Sequence, residues 1–266
     1  MASTRKPAVA GAFYPSDPQE LHKIVQYYLN QATNTGSVPK AIIVPHAGYI
    51  YSGPIAASAY ARITAAADQI RRVVLLGPAH RIPFYGLAAS SAESFATPLG
   101  TIPVDETAIQ RINQLPQVHI MDEAHAGEHS LEVHLPFLQE ILHNFTLVPL
   151  VVGSATPEDV SEVLEIVWGG DETLIVISSD LSHYHDYATA KKLDSETSYA
   201  IESLNPGAIE FEGACGRIPV SGLLTIAKKL GLQAHTIDLR NSGDTAGPRD
   251  RVVGYGAYVF DKQVTQ

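Results

Sequence analysis

Cysteine is nearly missing from this 266-residue chain: Cys215 is the only one. A single thiol makes no intrachain disulfide, which excludes a stapled secreted scaffold and leads us to expect a cytoplasmic location. Basic residues are also scarce, 18 Lys and Arg against 28 Asp and Glu, for a formal charge of -10. No stretch concentrates enough cations to follow a phosphate backbone, so nucleic acid is not expected as a partner. No apolar run reaches the roughly 18 residues of a membrane span. The short apolar stretch between Lys6 and Tyr14 is too brief for a secretory core, and no membrane association is expected.

Several catalytic signatures are missing as well. There is no GxxxxGK[ST], no GxGxxG between strand and helix, no GxSxG elbow and no CxxC. HExxH is absent too. In Glu128-His-Ser-Leu-Glu-Val-His134 the two histidines are five positions apart, whereas two ligands on one helical face need i, i+4 spacing. Glu132 and His134 therefore read as helix surface or structural partners, with His129 at the helix start facing a cleft.

What is present is a globular balance, 45% hydrophobic and 17% charged, at a length one α/β domain can fill. One domain over residues 1–266 is expected, without internal repeats. The segments 41–45, 72–77, 146–152 and 173–178 are β-branched and almost continuously apolar, as strands buried on both faces are. Residues 233–239 and 252–260 read as two further strands around a turn-rich loop, 241–250. Between them, 17–31, 54–66, 105–114, 131–143, 157–168 and 220–230 carry apolar residues at helical spacing. Asp17, with Glu20 three residues on, reads as a capping box; Asp105 reads as a plain cap, and Thr156 as the cap before Pro157. The expected fold is α/β, a mostly parallel or mixed sheet flanked by helices.

Three of these strands run straight into turns that carry histidine: Pro45-His46, Gly77-Pro-Ala-His80 and Ser178-Ser-Asp180-Leu-Ser-His183. Loops beyond the carboxyl ends of parallel strands converge on the ligand crevice of open α/β sheets, so these histidines can meet. His46 and His80, each with a Pro just upstream, form a pair suited to a rigidly mounted metal site. Cys215 lies between Gly213-Ala and Gly216, before a helix. It reads either as a small buried hydrophobe or as a thiolate favoured by the helix N-terminus. Asp180 and His183 read either as a carboxylate that orients a ligand beside a proton-transfer base or as a solvated loop. The loop 241–250 reads as a structural turn that can also rim the cleft.

With these residues in view, the chain resembles the Memo family, including the prokaryotic AmmeMemoRadiSam system protein B. The resemblance runs through Ala10-Gly-Ala-Phe-Tyr14, Pro45-His-Ala-Gly-Tyr49, Gly77-Pro-Ala-His80, Glu128-His-Ser130, Ser178-Ser-Asp180, Cys215-Gly-Arg217 and Val253-Gly-Tyr-Gly-Ala257. It implies a fold like that of the class III extradiol dioxygenases, the LigB-like non-haem iron enzymes. It further implies metal ligation by His46, His80 and Cys215, with His183 as acid/base, His129 positioning substrate and Asp180 tuning a ligand. Tyr49 and Arg217 are weaker candidates for the cleft wall. Cys215 stands where the dioxygenases have a carboxylate, and thiolate is the softer donor. The expected cofactor is one metal ion, Fe(II) or copper ahead of zinc. The expected activity is that of a dioxygenase-like oxidoreductase on a small or aromatic substrate; the rival is a peptide- or partner-binding protein that keeps the scaffold. The resemblance also implies a functional link to a radical SAM protein and an AMMECR-type protein.

Overall fold

The computed structural model describes residues 3–262. The chain opens with β1 (Thr4–Arg5), α1 (Pro18–Gln31), β2 (Ala41–Val44), α2 (Tyr49–Tyr60) and β3 (Arg72–Pro78). Then come β4 (Leu87–Ala89), β5 (Ser94–Thr97), β6 (Gly100–Pro103), α3 (Glu106–Ile112), β7 (Val118–Ile120) and α4 (Asp122–Ala126). The second half holds α5 (Leu135–Ile141), β8 (Thr146–Val152), α6 (Pro157–Val167), β9 (Thr173–Ser178) and β10 (His183–His185). It closes with α7 (Tyr187–Glu202), α8 (Arg217–Lys229), β11 (Leu232–Asn241) and β12 (Val252–Lys262).

The four continuous apolar runs become β2, β9, β3 and β8, which are parallel neighbours in that order. Ile42, Ile43, Val74, Leu75, Val148, Leu150, Ile175 and Val176 are wholly buried, which is why these strands show no polar alternation. β12 adds antiparallel to β2 and β4 antiparallel to β8, so the nine-stranded sheet is mixed. A smaller sheet joins β1, β5 and β6. The helices pack in two groups, α1 with α2 and α5, and α6 with α3 and α8, flanking the sheet. This is the α/β architecture expected from the pattern.

The differences have local causes. The helix expected from Pro54 begins at Tyr49, with Pro54 inside it. The N–H that Pro54 lacks would have reached the carbonyl of Ile50, an exposed residue whose carbonyl water can serve. The helix expected over 131–143 is a 3-10 turn, Glu132–His134, followed by α5, because Pro136 removes an N–H that a through-running α-helix would need. Asp17 caps α1 by accepting from the Gln19 and Glu20 backbones, but Glu20 does not reciprocate. A reciprocal box forms instead at Thr156, whose partner is Asp159, and another at Asn241 with Asp244. α7 was not expected at all. Its buried face is made of Ala190, Asp194, Thr197, Ser198, Ala200 and Ile201, a stripe too small and polar to read as an apolar helix face.

Candidate metal centre

His46 leaves the end of β2 through Pro45, His80 leaves β3 through Ala79, and Cys215 sits in the turn before α8. One donor atom from each lies within 4.8 Å of the other two. Cys215 Sγ is 3.3 Å from His46 Nε2. Metal bonds of about 2.0 to 2.3 Å at tetrahedral or octahedral angles put two donors roughly 3.1 to 3.6 Å apart, so this spacing suits a shared cation. The turn reaches the sheet only because residue 216 is glycine: a Cβ there would stand 2.6 Å from the Ser178 carbonyl oxygen and from the Ser179 Cβ.

The hydrogen bonds fix which imidazole nitrogen is free. Ser178 Oγ donates its one proton to the Ser130 carbonyl at 2.6 Å. It can then only accept from His46 Nδ1 at 2.6 Å and from His134 Nε2 at 2.9 Å. His46 is thus the Nδ1–H tautomer, with the Nε2 lone pair turned to the thiol. His80 Nδ1 donates to Glu128 Oε1 at 2.9 Å, which leaves its Nε2 lone pair free in turn. Burial holds the His46 and His134 imidazoles well below their ordinary pKa, and neighbouring imidazoles reinforce it, so these rings are neutral. A neutral ring whose other nitrogen is tied to an acceptor is what a metal-ligating histidine requires.

Glu128 is the anchor of the second histidine. Its carboxylate also accepts the backbone N–H groups of His80 at 2.7 Å and of His129 and Ser130 at 2.9 Å. Burial alone would raise its pKa; the hydrogen bonds from the His80 side chain and backbone, with the electrostatics of the His80 imidazole and the Ser130 N–H behind them, outweigh it and hold the group at about 2. His80, Glu128 and His129 also form a three-donor group within 4.8 Å. Glu128 Oε1 already accepts from three donors and Oε2 from one, and the carboxylate serves to orient His80, whereas His46, His80 and Cys215 each turn an uncommitted donor atom to the others, so that set is the better fit to a metal.

His129 stacks on His80 with ring centroids 4.6 Å apart and meets His46 edge-on at 5.4 Å. Its buried Nδ1 has no hydrogen-bond partner. It precedes the 3-10 turn rather than a long helix. Asp180 is buried beside the pair: Oδ1 accepts the His46 N–H at 2.7 Å, and Oδ2 lies 4.0 Å from His46 Nε2. Burial raises the Asp180 pKa despite that hydrogen bond and the nearby imidazoles. Its own N–H donates to Cys215 Sγ at 3.3 Å. These contacts favour the ordered reading of the 178–183 turn over a solvated loop.

Of the two readings of Cys215, the thiolate favoured by the helix N-terminus is not the metal-free state. Burial pushes the thiol pKa up, and the Asp180 charge adds to it, outweighing the hydrogen bonds to Sγ. Without a cation the side chain is a thiol. His183 donates from Nδ1 to the Leu181 carbonyl at 2.8 Å, leaving Nε2 free, and shares with Cys215, His185, Phe211, Glu212 and Ala214 a cavity of about 240 Å³.

Other expectations resolve differently. Tyr49 is not on a cleft wall: it is buried, donates to the Val133 carbonyl at 2.7 Å and packs on Tyr14 and Phe137. Arg217 lies over the ring of Phe211, which is largely exposed at the mouth of that cavity. Of the two readings of Glu132, helix surface and structural partner, the second holds. It is buried, pairs with Arg5 and accepts from the Ala8 and Val9 backbones and from the Tyr14 hydroxyl, so it ties the N-terminal segment down.

Three residues escaped the sequence reading. Ser178 and Glu128 orient the two histidines. Asp194 on α7 accepts the Ser182 N–H at 3.0 Å and so steadies the turn that carries His183. Its carboxylate is packed onto Gly254, where any Cβ would collide with it. The tight Val253-Gly-Tyr-Gly run was the available signal that something lies against β12 there.

The chain is similar to known proteins in sequence and in fold. The sequence model of the family described as Memo-like protein matches residues 5–259. A MEMO1 family protein of Aquifex aeolicus is 38% identical over 96% of this chain and 98% of its own. One from Saccharolobus solfataricus is 36% identical over 96% and 99%. In fold, the crystal structure of uncharacterized protein JW3007 from Escherichia coli K12 is similar at a TM-score of 0.58, with 13% identity, over 82% of this chain and 98% of that one. The chain therefore belongs to the Memo-like family.

Proposed function

We propose that this protein binds one transition-metal ion through His46, His80 and Cys215 and uses it in dioxygenase-like redox chemistry on a small or aromatic substrate. The observation that carries this reading is the pair of oriented imidazoles, each with its far nitrogen committed to Ser178 or Glu128 and its near lone pair free beside one thiol. A bound metal would supply Lewis acidity and one-electron chemistry at coordination positions the three donors leave open. Fe(II) and copper suit a donor set of two imidazoles and one thiolate, and zinc fits the same donors without redox chemistry.

The residues around the donors have work that needs no further ligand. Asp180 holds the His46 backbone with its carboxylate and, through its own N–H, donates to Cys215 Sγ, which supports the charge of the thiolate when it forms. His183, with Nε2 free toward the cavity it shares with Cys215, moves protons to and from a bound substrate. His129 covers the His80 ring and offers a polar edge to substrate. No helix among the described residues is long and apolar enough to cross a membrane. A cytoplasmic setting belongs to the same proposal, since a reducing environment would keep Cys215 able to bind metal. A functional link to a radical SAM protein and an AMMECR-type protein, drawn from the family resemblance, belongs to the same proposal.

Elemental analysis of anaerobically purified protein tests this reading, because air can oxidise a metal-binding thiolate. About one equivalent of iron or copper is expected, lost in His46→Ala and His80→Ala. Zinc alone, with no iron or copper bound after anaerobic loading, would overturn the redox assignment. Bound metal with no turnover on a panel of catechols would shift weight to the peptide- or partner-binding reading.

A further inference from the structure

A larger cavity, of about 650 Å³, lies away from these donors, between the end of α1, α2 and β11. Tyr27 and Tyr28 form one wall, Ser58 and Arg62 another, and Asp238 and Arg240 a third. A bulge between Thr236 and Asp238 shifts the β11–β12 register there, so Ile237 also lines the space. The charges in this wall do not balance. Asp238 is fully engaged: Arg240 Nε donates to Oδ1 at 2.9 Å, Arg240 Nη2 also donates to the carboxylate, and Ser58 Oγ donates to Oδ2 at 2.8 Å. Arg62 has no carboxylate. Among the described residues its side chain makes one hydrogen bond, Nη2 to the Ser37 carbonyl at 3.2 Å, and its Nε is buried without a partner.

A guanidinium keeps its charge at any physiological pH and carries five N–H donors; solvent does not reach Nε, and Arg62 spends one Nη2 bond on Ser37, so its remaining Nη donors are the ones left to meet an acceptor in the cavity. In a chain of formal charge -10, a cavity wall with one guanidinium in excess is a local reversal of sign. We propose that this cavity is a binding site for a small oxyanion, a carboxylate or a phosphate, held by Arg62 and stacked along Tyr27. Paired carboxylate or phosphate oxygens match the guanidinium fork, and the tyrosine ring supplies an apolar face for the body of an organic acid. The site shares no residue with the metal centre, so it stands or falls apart from the proposal above.

Calorimetric titration of the full chain with benzoate and, separately, with inorganic phosphate tests it, against chloride at matched ionic strength. Saturable binding of one equivalent is expected for at least one probe, and which probe binds distinguishes the carboxylate source from the phosphate source. Arg62→Lys should weaken it about tenfold, because a point charge replaces the fork. Asp238→Asn should tighten it severalfold, because Arg240 then joins Arg62 in facing the anion. A merely structural arginine cluster would not respond in that second direction. Metal content should be unchanged in both variants. Absence of saturable binding up to about 10 mM of both probes, or affinity unaltered by both substitutions, would overturn the proposal.

Discussion

Glu128 grips His80 twice, accepting its backbone N–H at 2.7 Å and its Nδ1–H at 2.9 Å, so one carboxylate fixes both the loop and the ring of a proposed metal ligand. A ligand held at both ends loses little freedom when metal binds. Glu128→Gln keeps the shape but gives up the charge and one acceptor. Metal affinity, measured by competition with a chelator, should fall about 10- to 100-fold without loss of the fold. Unaltered affinity would remove Glu128 from the centre.

Ser178 makes a comparable link on the other side, between His46, His134 and the Ser130 carbonyl. Ser178→Ala leaves two buried imidazole N–H groups and one carbonyl unpaired, at about 1 to 3 kcal/mol for each group left unsatisfied. The variant should be destabilised by several kcal/mol in denaturant titration and should also bind metal less tightly. A loss of stability with intact metal affinity would make Ser178 a core residue and nothing more.

Asp194 gives a pH dependence. Burial raises its pKa from its ordinary 3.8 to about 6, against the hydrogen bonds from Ser182 and the nearby His183 and His185. Because the folded value lies above the unfolded one, its contribution to stability is fully present below about pH 4 and is lost as pH rises through about 6, a change of about 3 kcal/mol. Asp194→Asn removes that loss while still accepting from Ser182. Its stability relative to wild type should therefore improve between pH 4 and pH 7, by up to about 3 kcal/mol. A difference that stays flat across this range would mean that Asp194 is ionised in the fold throughout.

The strands were legible because burial on both faces leaves no room for polar alternation, and residues such as Val74 and Ile175 announce that directly. The positions of His46 and His80 followed from the strands, since a parallel sheet carries its loops to one edge. Glu128 was not legible as an anchor. It stood inside a failed zinc-protease pattern, and its four donors come partly from a loop 48 residues upstream. Asp194 was hidden for a different reason. A carboxylate in a stripe of Ala, Ser and Thr reads as solvated helix until Gly254 is seen against it. The state of Cys215 stayed open between buried hydrophobe and thiolate because a helix N-terminus is visible in sequence while burial beside Asp180 is not.

His183 tests the division between holding metal and moving protons. Its Nδ1 is tied to the Leu181 carbonyl, and it belongs to neither three-donor group. His183→Ala should retain the metal of the wild-type protein while losing turnover about 100-fold or more on any substrate found. Loss of metal as complete as in His46→Ala would show that the assignment of roles is wrong.

Cys215 is where this chain departs from the two-histidine, one-carboxylate pattern, and substitution there separates the enzyme from the binding protein. Cys215→Ala removes one of three donors and should weaken iron and copper binding alike. Cys215→Glu replaces a soft donor with a hard one, so it should keep iron and lose at least about tenfold in copper affinity. It also puts a second carboxylate near buried Asp180, whose N–H bonds Cys215 Sγ at 3.3 Å. Two buried anions repel, so the metal-free Glu variant should melt lower than wild type and recover most of that difference when Fe(II) is added. Elemental analysis after anaerobic loading and thermal melts with and without metal measure both effects, and absorbance with a panel of catechols reports ring opening, which is expected first in this variant. Unchanged iron and copper binding in both variants would mean that Cys215 is a buried hydrophobe and that the three-donor centre must be abandoned. Altered metal preference without turnover on any catechol would leave the centre standing and move its use from oxidation to recognition.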